Sequence, residues 1–202
     1  MKTVPGKIGG WFAELILVFI GAYAAFWLSN YQQHQQQARQ RDHILASLQQ
    51  ELEAGIDNTR EQAAKFQEEA RLFQAAMANG ERPPLHRFIF TTDYNPGDIA
   101  TLLQAGGIEL LQVKTLTTLR DFESVVRWGL SRMAHYQKLS DELIAPALGS
   151  DASVFYDESG RQLRERFDFY LEAMRDRAEF FKELQQKQAE LLNEIKSERQ
   201  QR

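Results

Sequence analysis

Side chains able to do chemistry are sparse in this sequence. Four histidines, His34, His43, His86 and His135, stand at no metal-ligand spacing, and cysteine is absent. The missing thiol removes structural disulfides, cysteine-based zinc sites and thiol nucleophiles together. It fits any compartment and slightly favours one where stray thiols would oxidise. Asp93, Asp98, Asp151 and Asp157 lie near turn residues, where a carboxylate ordinarily accepts backbone N–H groups. The Asp157-Glu158 loop offers two acids, short of the roughly six oxygens that a calcium site needs. Neither a phosphate-binding G-x-x-x-x-G-K-[ST], nor G-x-G-x-x-G, nor a nucleophile elbow G-x-S-x-G occurs. The expectation is no enzyme, no catalytic residue, no metal and no cofactor. One ionisable group remains conspicuous. Glu14 lies inside the apolar run WFAELILVFIGAYAAFWL, Trp11 to Leu28.

That run sets the first element. About 20 residues at 1.5 Å each cross a ~30 Å hydrocarbon core, so residues 11–30 read as a transmembrane helix behind a short tail, 1–10. Trp11 at one end and Trp27 and Tyr31 at the other read as interface anchors, because amphipathic rings prefer the headgroup zone. A buried helix of a soluble protein is disfavoured, since the run has no polar face for water. A cleaved signal peptide competes: Lys2 and Lys7 give a basic start and Ala22-Tyr23-Ala24 has the form of a cleavage site. The apolar run continues past that site through Leu28, however, and Glu14 would interrupt the signal, so an uncleaved anchor is expected.

Glu14 lies on the same helical face as Gly21 and Ala25, and Gly21-x-x-x-Ala25-x-x-x-Ser29 is a small-residue stripe that lets helix backbones approach. An acid at mid-membrane costs about 2.5–3.5 kcal/mol on insertion scales. Glu14 therefore either meets a partner helix or a proton path on that face, or extends toward the headgroups near Lys7. Lys2 and Lys7 precede the run, whereas the first basic residues after it are Arg39 and Arg41. The positive-inside bias places the amino terminus in the cytoplasm and the body outside it.

The body, 31–202, reads as all-α. Leu45, Leu48, Leu52, Ile56, Thr59, Ala63, Phe66, Ala70, Phe73 and Met77 recur at helical spacing, giving a long helix over about 31–79 that ends at Asn79-Gly80 and Pro83-Pro84. Residues 87–91 suggest a short extended piece and Asn95-Pro96-Gly97 a turn. Asp98 caps a short helix, about 98–105, before Gly106-Gly107. Thr115 or Thr117 caps a second long helix, about 115–145, and a third covers about 161–199. Three amphipathic helices of this length bury their stripes as an antiparallel bundle with the short helix at the distal end. Phe66, Phe73, Phe122, Phe167, Tyr170 and Phe181 are expected in its core. The charged tail ELQQKQAELLNEIKSERQQR either projects as a coiled coil with a second copy or frays.

Two stretches carry a resemblance. Ala13-Glu14-Leu15-Ile16-Leu17-Val18-Phe19-Ile20-Gly21, then Ala25, then Ser29-Asn30-Tyr31 is similar to the opening of a family of bacterial single-pass membrane proteins known as a domain of unknown function. Its members begin with a motif like G-E-I-I-L-V-V-I-G-I-L-I-A-L and a polar Asn-Asn-Trp-like exit. Ala13 stands where the family has Gly, and Tyr31 where it has Trp. Leu103, Ala105, Gly106, Ile108, Leu110, Leu111 and Leu116 resemble a second family stretch, with Thr117 where Arg is commoner. With the amino terminus cytoplasmic, the resemblance implies a location, a bacterial inner membrane with the body periplasmic, and an architecture, and it implies that Glu14 is a family feature. It implies no activity.

The 202 residues carry net charge −4, of which the first thirty contribute +1. A mildly acidic body lacks the clustered basic face that nucleic acid requires. The expected partners are the lipid bilayer and either a second copy or a membrane protein. The expected function is a membrane-anchored scaffold or assembly protein. An extracytoplasmic sensory bundle and an accessory subunit of an ion-driven complex using Glu14 are the alternatives.

Overall fold

A computed structural model describes residues 7–90 and 108–201, with side chains from Leu17 onward. The described chain is helical, without strands. Helix α1 spans Lys7–Ala78, α2 Val113–Leu143 and α3 Phe169–Gln200. Short 3-10 turns lie at Ile108–Leu110, Ala145–Ala147, Ala152–Phe155 and Glu165–Phe167. The expected continuation of the opening helix into the long body helix is seen as a single unbroken helix, since no proline falls within α1 and Gly55 alone does not break it. Gly80 ends it with φ +80°. There the Glu81 N–H donates to the Ala76 carbonyl at 2.9 Å and the Gly80 N–H to Met77 at 3.0 Å, the paired bonds of a Schellman cap.

The expected antiparallel arrangement holds for α3 alone. Ile44, Leu45, Leu48 and Leu52 of α1 share one core cluster with Leu119, Phe122 and Val126 of α2. Ala70 and Phe73 share the other with Met133 and Tyr136. Thus α1 and α2 run in the same direction, and α3 runs back between them, supplying Leu191, Leu192 and Ile195 to the first cluster and Tyr170, Ala173 and Met174 to the second. The first cluster forms the near end of the bundle and the second the far end.

A parallel pair requires the chain to return along the bundle, and residues 83–90 begin that return. Leu85 and Phe88 are buried. The backbone N–H groups of His86, Phe88 and Phe90 donate to Tyr170 Oη at 3.2 Å, Ser140 Oγ at 2.8 Å and Gln137 Oε1 at 3.2 Å. Alternate amides thus bond side chains of α2 and α3 instead of a strand, and the expected extended piece is a strap without a sheet partner. The expected turn at Asn95-Pro96-Gly97, the Asp98 cap and the short helix 98–105 lie outside the described residues.

Two further boundaries differ from the sequence reading. The third helix starts at Phe169 and not near 161, because Leu163 is held in an antiparallel bridge with Tyr156, and Arg164 Nε donates to the Tyr156 carbonyl at 2.6 Å. The charged tail neither projects nor frays. Leu191, Leu192, Ile195 and Glu198 are buried against α1 and the start of α2.

Candidate functional site: an apolar collar on the first helix

The bundle begins to bury α1 only at Ile44; before it, every described residue from Leu17 to Gln40 is exposed except half-buried Asn30. At 1.5 Å per residue, Leu17 to Gln40 covers about 36 Å of this free helix. The part next to the bundle is polar, NYQQHQQQARQ, and the part away from it is apolar. Leu17, Val18, Phe19 and Ile20 are each more than 60% exposed. Four consecutive residues at 100° steps face all sides, so the apolar surface is a collar and not a stripe. Tyr23, Phe26, Trp27 and Leu28 continue it.

Of the expected packing residues, Gly21, Ala25 and Ser29 are exposed on this free stretch. A side chain at Gly21 would meet no atom within 4 Å. Trp27 and Tyr31 stack, with ring centroids 5.9 Å apart and planes 12° apart, and Gln35 Nε2 donates to Tyr31 Oη at 2.8 Å. This small aromatic cluster marks the edge where apolar surface gives way to polar. The side chains of Trp11 and Glu14 lie outside the described residues. Among the described residues no helix is long and apolar enough to cross a membrane. The expected span over 11–30 therefore has no support among the described residues.

The body uses its polar groups internally. Arg132 bridges Asp176 at 2.5 Å and Glu172 at 2.6 Å, and the Tyr136 hydroxyl donates to Asp176 at 2.5 Å. Burial first, then the Asp176 bond, pushes the Tyr136 hydroxyl well above its ordinary range. Arg177 bridges Glu69 at 2.5 Å and lies 3.9 Å over the Phe66 ring; burial lowers its guanidinium from the usual value. Asp151 and Asp157 do what turn aspartates ordinarily do. Asp151 accepts the Ser153 N–H at 2.8 Å, and Asp157 accepts the Ser159 hydroxyl at 2.8 Å. The Ser159 bond first, then backbone N–H groups, holds Asp157 below the usual carboxylate range. Among the described residues no group of three or more histidines and acids stands where it would hold a metal. His34, His43, His86 and His135 are all exposed.

Sequence reasoning missed Gln188 and Glu198, both buried. The third-helix stripe passes from Leu184 to Leu191, and that seven-residue step leaves 188 on the same face. The polar residue at the vacant position was the available signal. Thr115 and Thr117 were expected to cap α2, yet neither does. Gln112 is its N-cap, Thr115 Oγ1 donates to Glu198, and Thr117 Oγ1 donates to the Val113 carbonyl.

The class thus defined is a three-helix bundle carried on a long, free, partly apolar helix. No protein-family model, no curated protein and no solved structure matches this chain.

Proposed function

We propose that the protein is a single-pass membrane-anchored helical scaffold or assembly protein that binds copies of itself or a membrane partner and performs no catalysis. The carrying observation is the collar: large apolar side chains exposed around the whole circumference of α1, beyond reach of the bundle. Burying such a surface in lipid removes it from water at about 25 cal/mol per Å². The polar stretch from Gln32 to Gln40 then holds the bundle off the bilayer surface. The Trp27/Tyr31 stack supports this placement, since such rings favour the headgroup zone. In this reading residues 11–30 form the span, with Glu14, Gly21, Ala25 and Ser29 on the helix-packing face. The amino terminus is cytoplasmic and the bundle periplasmic in a bacterial inner membrane. The family of single-pass proteins that the anchor resembles belongs to the same proposal.

The test is membrane fractionation of the full chain followed by alkaline carbonate washing, then mass measurement in mild detergent. Retention in the pellet together with a multi-copy or partnered mass is the expected result. Release by carbonate, a mature chain starting at Ala25, or an unpartnered monomer overturns the proposal. Orientation is read separately. Because the chain has no cysteine, Gln35→Cys gives a single thiol that an impermeant reagent labels from the periplasmic side.

A further inference from the structure

The bundle carries its core in two clusters, with polar residues at their boundary on α1 and α3. There the buried stripe of α1 passes through Thr59 and Ala63 and that of α3 through Gln188, while half-buried Leu184 packs against both clusters. Gln188 is 5% exposed. Its Nε2 donates to the Leu52 carbonyl at 2.8 Å, while its buried Oε1 has no hydrogen-bond partner. It fits against α1 because residue 55 is glycine; a Cβ there would lie 3.1 Å from Nε2. A buried acceptor without a donor favours any state in which water reaches it.

The two halves are held differently. The far half is overlaid by the strap and by the segment between α2 and α3, where Tyr156 Oη donates to the Pro83 carbonyl at 2.6 Å. The near half is closed by the last turns of α3, through Glu198 on the start of α2 and Lys196–Glu53 at 2.8 Å. The 108–111 segment lies against it as well, with Leu111 buried in the near cluster and Leu110 packed on it. A helix end that peels from its terminus stops where the next packed layer begins.

We propose that the Gln188 layer is a joint: α3 from Gln188 to its carboxyl end detaches, opening the near half of the bundle while the far half stays closed. The opening uncovers Leu45, Leu48, Leu191 and Ile195 at the base of the free helix. It is independent of whether α1 enters a membrane. Proteins open in such cooperative units when few apolar contacts cross between them.

Hydrogen exchange on the full chain, read by mass spectrometry, tests this. Peptides covering 44–55, 113–126 and 189–198 are expected to exchange together, and at least about threefold faster than those covering 66–77, 130–143 and 170–184. Gln188→Leu fills the layer with apolar atoms and is expected to bring the two groups toward one rate. Equal rates in the native chain, or a ratio unchanged by Gln188→Leu, overturn the proposal. If circular dichroism shows that this variant does not fold, Gln188→Met is read by the same criterion.

Discussion

Glu198 closes the start of a helix to which it does not belong. Gln112 offers α2 no side-chain cap, and the Glu198 carboxylate takes its place, accepting the Gln112 N–H at 3.1 Å and the Thr115 hydroxyl at 2.5 Å. A negative charge at a helix amino end is favoured by the partial positive charge there. Glu198→Ala takes the acceptor from the buried Thr115 hydroxyl and from the part-buried Gln112 N–H, so thermal or denaturant unfolding should show a loss of about 1–3 kcal/mol. Tyr156 makes a prediction in alkali. Burial pushes its hydroxyl up to about 12. The unfolded value is about 10, so the fold favours the neutral phenol. That stabilisation is complete below pH 10 and is lost as pH rises from 10 to 12. Absorbance titration should show a phenolate signal that appears late in the native chain and disappears from that range in Tyr156→Phe. Asp157 behaves oppositely. Its carboxyl is held below the usual range by Ser159 first. Its stabilisation of the 157–162 turn is present above about pH 4 and lost as pH falls below it. The amide resonances of Arg161 and Gln162, whose N–H groups it accepts, should shift through that interval.

At the scale of elements, Gly129 of α2 lies directly against Phe180 of α3. A Cβ at 129 would lie 1.9 Å from the Phe180 ring. Gly129→Ala therefore forces the ring from its place beside Phe181 and should lower stability by about 1–3 kcal/mol, although alanine is the better helix former. The strap depends on a hydroxyl in the same way that α2 depends on a carboxylate. Ser140→Ala leaves the Phe88 N–H without its buried acceptor, and unfolding should be easier by about 1–3 kcal/mol. Helix existence was legible from periodicity: all three long helices are where apolar residues recur at three and four. Their ends were less legible. The Asn79-Gly80 stop was readable because a left-handed residue ends a helix locally. The start at Phe169 was not, because a bridge to Tyr156 and an arginine on its carbonyl decide it, and those partners lie across a turn.

Across the whole molecule, α1 has two occupations. Beyond Ile44 it is one wall of a bundle; before it, it stands free, largely polar from Asn30 to Gln40 and apolar around its circumference from Leu17 to Leu28. If lipid covers the collar, Phe19→Arg together with Phe26→Arg should move the chain from the carbonate-resistant pellet to the wash while leaving bundle melting unchanged. Unaltered pelleting would show that those side chains do not meet hydrocarbon. The sequence by itself determined that α1 and α3 are long amphipathic helices, that thiol chemistry is absent, and that the early run lacks a polar face, because each follows from residue type and short-range spacing. Only the tertiary structure decided that α1 and α2 run parallel, that the strap lies against α2 and α3, that the charged tail is core, and that Gln188 and Glu198 are buried. Those outcomes depend on which surfaces meet across the chain, and a periodicity of 3.6 fixes the face of a helix without naming the neighbour that covers it.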